Sequence, residues 1–600
     1  MTAEDRIIQA FRQYGFGSAR SFVYQSKLGV VAEGPTIGQS LRRKKAFYVE
    51  GSPYQMGYLV GRLAPEDVRQ MAEDFTDRIV LDFLHEGLGE KLPFIGKLIV
   101  WLMEGLVAIE HVQRDLPEDQ LSEIAGLAQA CVDTGLCTEK GKRQLQRRLV
   151  ILNGGIDVLL SMIYPLELPS ALRRQLSDAR CRGSLSRDLW DRSLAGDEED
   201  EAALGMRIDT VLENWLGLEA LFAALKFEAA EKLAAEHPHF RIPLACNAFS
   251  VFGSATKSGH DHYFGRDFAF PTAGIFQETA CILIRRPEPT SPLPSRATLS
   301  VTAPGIVGSI MALSEQGVAA GVDMVPAACC NPARPGVNSL MLVRHAVEHA
   351  DTGSAARELV VGAQRGVSWL YPMSYRERST GRDEGWVIEA GETATRIDAL
   401  GYTPLTLRRL LPTQAYLDAH PGPAAQQGVV VRMAGYRLEP EWNTTFNPGL
   451  FEHFHVNYDP SEFAPTGTLT AEPKSYYFAP QREERGELVM ATNGYVVPLM
   501  RLTSMSRAPV LVTGDQYRDI QHRYDVLNAR LLDSIARGGV DLAEAHRALE
   551  RLSQPDATPT TVIEGSTTIV ELHSAELLTH THIGYFGDEW VTMGLAPFLS

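Results

Sequence analysis

The chain has 600 residues, 44% of them hydrophobic and 22% charged, and a net charge of −17. That length exceeds what one hydrophobic core sustains, so two or more layered lobes are expected. The acidic balance argues against a nucleic-acid binder, whose affinity comes from clustered Lys and Arg, and the seven scattered cysteines (Cys131, Cys137, Cys181, Cys246, Cys281, Cys329, Cys330) lack the spacing of a disulfide framework or a zinc site.

The first residues, Met1-Thr2-Ala3-Glu4-Asp5-Arg6, are acidic where a signal peptide is basic and then apolar, so a reducing cytoplasm is expected. Residues 1–45 read as a helix followed by irregular chain, with a solvated basic cluster at Arg42-Arg43-Lys44-Lys45. A short strand from Phe47 ends at Gly51-Ser52-Pro53, and Pro53 opens a helix. On that helix Gly57 and Gly61 lie i,i+4, which predicts a close contact on one face. From Asp67 to about Leu225 the periodicity is mostly helical. The run Leu92–Ile109 approaches membrane-spanning length, but Pro93, Lys97 and Glu104 interrupt it. A buried or lid-like helix is expected there, without stable membrane insertion, and its apolar character suits a greasy acyl group. Asp197–Glu201 reads as an acidic exposed linker, and His237-Pro238-His239 breaks the helical pattern. The expected division is a mostly helical leader over 1–245 and a β-rich core over 246–600.

At Cys246 the character changes. Ala248, Phe249, Val251 and Phe252 suit a buried strand, Gly253–His260 supplies a polar turn, and Tyr263–Phe270 returns. A turn centred near Lys257 sets Cys246 opposite Phe268 and Arg266 opposite Ala248, so thiol and guanidinium share one face. A cysteine beside a fixed cation holds a depressed thiol pKa; the plainer reading is one more buried core cysteine. Strands follow at Thr279–Arg285, Ala297–Thr302, Val307–Ser314 and Gly317–Met324, with helices at Asn338–Glu348 and Ser354–Val361. Further strands fall at Trp386–Glu389, Thr393–Asp398 and Glu487–Thr492, helices at 515–535 and 541–552, and a last hairpin at Thr567–His573 and Leu577–His582. This order fits an α+β fold with two stacked sheets covered by helices, a four-layer αββα sandwich preceded by a largely helical N-terminal portion.

Several segments together resemble one family. They are Gly51-Ser52-Pro53-Tyr54-Gln55-Met56-Gly57-Tyr58-Leu59-Val60-Gly61, Cys246 opening the β portion, Gly265-Arg266-Asp267-Phe268-Ala269-Phe270, Ala303–Gly308 with Gly317–Asp323, Arg334-Pro335-Gly336, and Ala491-Thr492-Asn493-Gly494. The order resembles the cysteine N-terminal-nucleophile (Ntn) hydrolases of the isopenicillin N acyltransferase group, with bile-salt and penicillin V acylases, acid ceramidase and phospholipase B-like proteins as distant kin. The resemblance implies a precursor that cuts itself between Ala245 and Cys246, giving a heterodimer of its own two fragments. The new Cys246 α-amine, with a pKa near 7.7–8.0, then serves as base for its own thiol. It further implies that Arg266 flanks the nucleophile, that Asn493 donates to the oxyanion, that Arg523 supports the site and that Asp323 lines the substrate pocket. The expected substrate is a small-molecule N-acyl amide, a thioester being the alternative acyl donor, with no cofactor and no metal. In one respect the chain departs from the family, whose members read G-x-N-x-D after the hairpin, with an aspartate on the nucleophile's amine. Here Asp267 and Ala269 hold the Asn and Asp positions. Either a bulge turns Asp267 inward to take that role, or the amine lacks the partner.

Two rival readings compete. A non-catalytic relative would use the same sandwich as a binding or scaffold protein. His345-Ala346-Val347-Glu348-His349 also matches the HxxEH pattern of inverted zinc proteases, which would make His345 and His349 metal ligands. The pairs His260/His262, His453/His455 and His580/His582 are read as strand or turn residues, and no Gly-x-Ser-x-Gly, P-loop or dinucleotide motif occurs.

Overall fold

A computed structural model describes residues 1–34, 43–78, 115–163, 245–270, 274–289, 293–325, 336–391, 429–435, 486–496, 500, 514–550, 552, 565–583 and 590–599. The runs Leu92–Ile109, Asp197–Glu201, His237–His239, Thr393–Asp398 and His453–His455 lie outside them. Among the described residues no helix is long and apolar enough to cross a membrane.

The N-terminal portion differs from its sequence reading. Helix α1 (Ala3–Gln13) opens with a capping box between Thr2 and Asp5. It is followed by strands β1 (Ser18–Tyr24), β2 (Lys27–Glu33) and β3 (Lys45–Gly51). The β1–β2 turn is Gln25-Ser26, both at positive φ (48° and 66°), so the Asn-Gly signal that marks such a turn is missing. In β1, moreover, no residue is fully buried, which leaves little hydrophobic pattern to read. Helix α2 (Pro53–Leu63) is capped by Ser52 and Gln55 and leads into α3 (Pro65–Gln70). Gly57 and Gly61 do face a close neighbour, α4 (Glu118–Asp133). A β-carbon on Gly57 would lie 2.0 Å from the Glu123 carbonyl oxygen, and one on Gly61 2.6 Å from Ala130 Cβ. Helix α5 (Glu139–Ile163) is the last described element of this portion.

Two sheets form the centre. The first has eleven strands in the order β1-β2-β3-β6-β7-β8-β9-β11-β12-β13, with β10 pairing β11. The strands after β5 in it are β6 (Cys281–Pro287), β7 (Thr298–Thr302), β8 (Met311–Ser314), β9 (Val318–Gly321), β10 (Asp323–Met324), β11 (Trp369–Arg376), β12 (Asp383–Ala390) and β13 (Val429–Met433). The second runs β14-β4-β5-β15-β16-β17, built from β4 (Ala245–Phe252), β5 (His262–Ala269), β14 (Leu488–Ala491), β15 (Ser566–Glu571), β16 (Leu578–Ile583) and β17 (Val591–Gly594). In the first sheet β3 pairs parallel with β6, joining the N-terminal strands to the core.

Alternation along these strands sorts side chains into layers. Val30, Tyr48, Ile282 and Leu299 of the first sheet meet Phe264, Val570 and Met593 of the second. On the outer face of the first sheet, Val31, Phe47, Val49 and Leu283 pack on α2, α4 and α5. Further along that face, α6 (Ser339–Glu348) and α7 (Gly353–Gly362) cover Ala320, Tyr371 and Trp386. On the outer face of the second, Phe249, Val251 and Tyr263 pack on α8 (Gly514–Ala536) and α9 (Leu542–Leu549). The protein is an α+β sandwich with layers helix, sheet, sheet, helix.

A buried ionic cluster ties α4 to the core. Arg285 Nε donates to Glu123 Oε1 at 3.1 Å, and Arg344 Nη1 to Glu123 Oε2 at 2.5 Å and to the Val307 carbonyl at 2.7 Å.

Candidate active site

The β4–β5 hairpin has the register the sequence predicts. Cys246 pairs with Phe268, Asn247 with Asp267 and Ala248 with Arg266, without a bulge. Cys246, Ala248 and Arg266 therefore face the first sheet, whereas Asn247, Phe249 and Asp267 face the layer of α8 and α9. Ala245 is itself part of β4, paired with Ala269. Two glycines let the hairpin close. A β-carbon on Gly265 would lie 2.2 Å from the Phe249 ring, and one on Gly321, in the facing sheet, 2.1 Å from Arg266 Cδ. Gly321 is thus the gap through which Arg266 crosses between sheets.

Strand β14 pairs antiparallel with β4 up to Ala491↔Ala248, and the chain then continues to bring Asn493 level with Cys246. Asn493 Oδ1 accepts from the Cys246 nitrogen at 2.8 Å and from Arg523 Nη2 at 2.9 Å, while its Nδ2 donates to the Met324 carbonyl at 2.7 Å. Arg523, on α8, also donates through Nη1 to the Cys246 carbonyl at 3.1 Å and to Asn247 Oδ1 at 2.8 Å. On the opposite face of the hairpin Arg266 stacks over Phe268, its Cζ 4.7 Å from the ring centroid, and donates to the Asp267 carbonyl at 3.1 Å. Its Nη2 lies 3.0 Å from Asp323 Oδ1, both side chains at most 1% exposed. The pair meets by charge rather than by an aligned hydrogen bond, since both Asp323 oxygens and Arg266 Nε and Nη2 lack a hydrogen-bond partner.

Of the residues singled out in the sequence, Cys246, Arg266, Asp323, Asn493 and Arg523 thus converge on one end of the hairpin. Asp267 is adjacent in the chain but points the other way. Its Oδ2 accepts from Asn247 Nδ2 at 3.1 Å and its Oδ1 from Thr567 Oγ1 at 3.2 Å. Asn247 and Gly321 escaped the sequence reading. A polar residue directly after the cysteine in an otherwise apolar strand was the available signal for the first; the second is visible only once the sheets stack.

The expected depression of the thiol pKa does not hold. Burial pushes the Cys246 thiol up to about 11; Asp323 and Asp267 add to the rise, and Arg266 and a hydrogen bond from Asn493 oppose it. In the continuous chain the Cys246 nitrogen sits in a peptide bond and cannot serve the thiol as a base. Burial also raises the Asp323 carboxyl to about 6, against the pull of Arg266 and Arg523.

The HxxEH helix is differently employed. His349 Nδ1 lies 2.5 Å from the Pro294 carbonyl oxygen and Nε2 3.3 Å from Asp119 Oδ2, and Glu348 accepts from Arg344 Nε at 2.8 Å. Among the described residues, the side chains within metal-binding reach of one another are Asp119, Glu348 and His349, a set that does not include His345 and whose Glu348 is paired with buried Arg344. A Ser-His-Asp arrangement also occurs. Ser250 Oγ is 3.0 Å from His262 Nε2, and His262 Nδ1 is 2.8 Å from Asp383 Oδ1. A β-carbon on Gly385 of the facing sheet would lie 2.4 Å from that hydroxyl, so no substrate fits over it. Arg376 fixes Asp383 through two 2.8 Å bonds, making the chain of groups a strut between the sheets.

No family model matches the chain. It is similar to an uncharacterized protein of Archaeoglobus fulgidus, 23% identical over 556 residues that cover 91% of this chain and 65% of that protein, so the chain spans just under two thirds of that relative's length. Among solved structures it is similar to two single-site variants of a conjugated bile acid hydrolase from Clostridium perfringens, each with 10% identity, a TM-score of 0.29 and coverage of 58% of this chain and 92% of that one. Likeness of this size leaves the chemistry to be argued from the site.

Proposed function

We propose that the chain is a self-processing cysteine amidohydrolase or acyltransferase of the Ntn type, acting on an N-acyl amide through Cys246. The observation that carries the reading is the bond from the Cys246 nitrogen to Asn493 Oδ1 at 2.8 Å, made at the strand position where the thiol shares a face with Arg266. Asn493 follows strand β14 and joins three buried groups at once, the Cys246 nitrogen, Arg523 and the Met324 carbonyl. It is well placed to hold that nitrogen once it becomes a chain end.

In the processing step Cys246 Sγ attacks the Ala245 carbonyl carbon and the acyl group passes from nitrogen to sulfur. Water then hydrolyses the thioester, leaving an Ala245 carboxylate and a free Cys246 amine. The amine supplies the base that the high-pKa thiol lacks, taking its proton as sulfur attacks the substrate carbonyl. The tetrahedral oxyanion collapses to an acyl-enzyme as the proton passes to the departing amine. Water or an acceptor amine then resolves the thioester. Asn493 Nδ2 and Arg266, both close enough to lower the thiol pKa, donate to the oxyanion, and Arg523 fixes Asn493 and the Cys246 carbonyl.

Denaturing electrophoresis with mass spectrometry tests the reading. Fragments of about 27 and about 39 kDa, the shares of the 66.0 kDa chain on either side of Ala245–Cys246, are expected, with an acyl adduct on Cys246 after incubation with a panel of N-acyl amines. A chain that stays intact and takes up no acyl label makes the protein a binding or scaffold relative instead.

A further inference from the structure

Self-cleavage turns one buried N–H into an amine with two or three hydrogens, each of which needs an acceptor away from water. In the continuous chain the Cys246 nitrogen donates to Asn493 Oδ1, an oxygen that already accepts from Arg523 Nη2 at 2.9 Å. Neither Arg523 nor Arg266 has an acceptor to offer. Two carboxylates are close enough to influence the thiol. Both oxygens of Asp267 are engaged, by Asn247 and Thr567, on the helix-facing side of the hairpin. Asp323 lies on the cysteine's side, is fully buried, and has two oxygens without a hydrogen-bond partner. Its neighbour Met324 is tied by Asn493 Nδ2 at 2.7 Å, so one asparagine side chain spans from the Cys246 nitrogen to the backbone beside Asp323.

We propose that Asp323, rather than Asp267, is the carboxylate that accepts from the Cys246 α-amine, while its ion pair holds Arg266 beside the thiol. The inference rests on the self-processing reading above. It accounts for the missing family aspartate, since the carboxylate is supplied from the facing sheet instead of from β5. It also accounts for the two buried oxygens of Asp323, which lack hydrogen-bond partners in the continuous chain. The charged and titratable groups around Asp323 are Arg266, Arg523, Asp267 and Cys246.

The test uses processed full-length protein and needs no substrate. The Cys246 α-amine is titrated by competitive acetylation with acetic anhydride, and the thiol by its rate of alkylation with iodoacetamide across pH. In Asp323→Asn both titrations are expected to move to lower pH by about one unit, because the ammonium loses its partner and the thiolate loses a repelling charge. Asp323→Glu is expected to restore them, and Asp267→Asn to leave the amine titration where it is. An amine titration that moves in Asp267→Asn and stays in Asp323→Asn overturns the proposal, as does one that moves in neither. If Asp323→Asn does not fold, Asp323→Ser takes its place with the same expected shift, and an amine titration that does not move in it overturns the proposal. Wild-type protein that neither cleaves nor alkylates at Cys246 overturns the parent reading, and that result is seen before any variant is compared.

Discussion

At Cys246 the decisive quantity is the balance between one arginine and burial. A guanidinium at close range favours thiolate, yet desolvation of a side chain 2% exposed, aided by two carboxylates, pushes the thiol up to about 11. In uncut chain, alkylation of Cys246 by iodoacetamide is therefore expected to be slow at pH 7 and to climb about tenfold per pH unit toward 11, since only thiolate reacts. Arg266→Gln removes the opposing cation and moves that profile further up; mass spectrometry resolves the uncut species. Asn493→Ala removes the group that holds the Cys246 nitrogen and hydrogen-bonds the thiol, so the conversion of full-length chain into fragments is expected to slow by about 10²-fold. Quantified bands over time check this. Cys246 and Arg266 were legible in the sequence because they lie on one hairpin whose turn sets their register, and Asn493 through the family resemblance of Ala491-Thr492-Asn493-Gly494. Asp267 was left open between an inward bulge and an unpartnered amine, and the regular pairing of Asn247 with Asp267 decides against the bulge.

Between elements, the close contacts are set by glycines and by one buried glutamate. Gly57 and Gly126 meet where α2 crosses α4, a β-carbon on Gly126 falling 2.1 Å from the Tyr54 carbonyl oxygen. Gly57→Ala would gain about 1 kcal/mol in helix propensity, but its methyl would meet backbone that has no room to move, so a net loss of about 1–3 kcal/mol is expected. Thermal unfolding measures it. Glu123→Gln leaves Arg285 and Arg344 buried without their shared carboxylate, and removing one partner from such a cluster costs about 3–5 kcal/mol. A chain that loses α4 packing in this variant would show it as earlier proteolysis within 115–163. The glycine contact was readable from i,i+4 spacing; the ionic cluster was not, since Glu123, Arg285 and Arg344 lie more than fifty residues apart and only the stacking of α4 and α6 on the first sheet brings them together.

For the whole molecule, the position of the proposed cut matters most. Strands β1, β2 and β3 precede it and belong to the first sheet, with β3 hydrogen-bonded to β6 beyond it. Val31 and Phe47 share one cluster with Leu283, and Val30 and Tyr48 another with Val570. Two fragments that share a sheet and two cores are expected to stay together, so cleaved protein should elute as a single species in native size exclusion and separate only in denaturant. The sequence by itself determined the α+β layering and the hairpin register that sets Arg266 on the face of Cys246, because period-two alternation and short turn signals are local properties of the chain; Asn493, Asp323 and Arg523 entered only through the family resemblance. Tertiary structure alone decided that strands β1 and β2 precede the expected β3, because their turn lacks a glycine or asparagine and β1 has no fully buried face. It alone decided, too, that the thiol is raised rather than lowered, and that the unpartnered carboxylate beside it is Asp323, because burial and the stacking of two sheets are sums over distant residues that no local pattern carries.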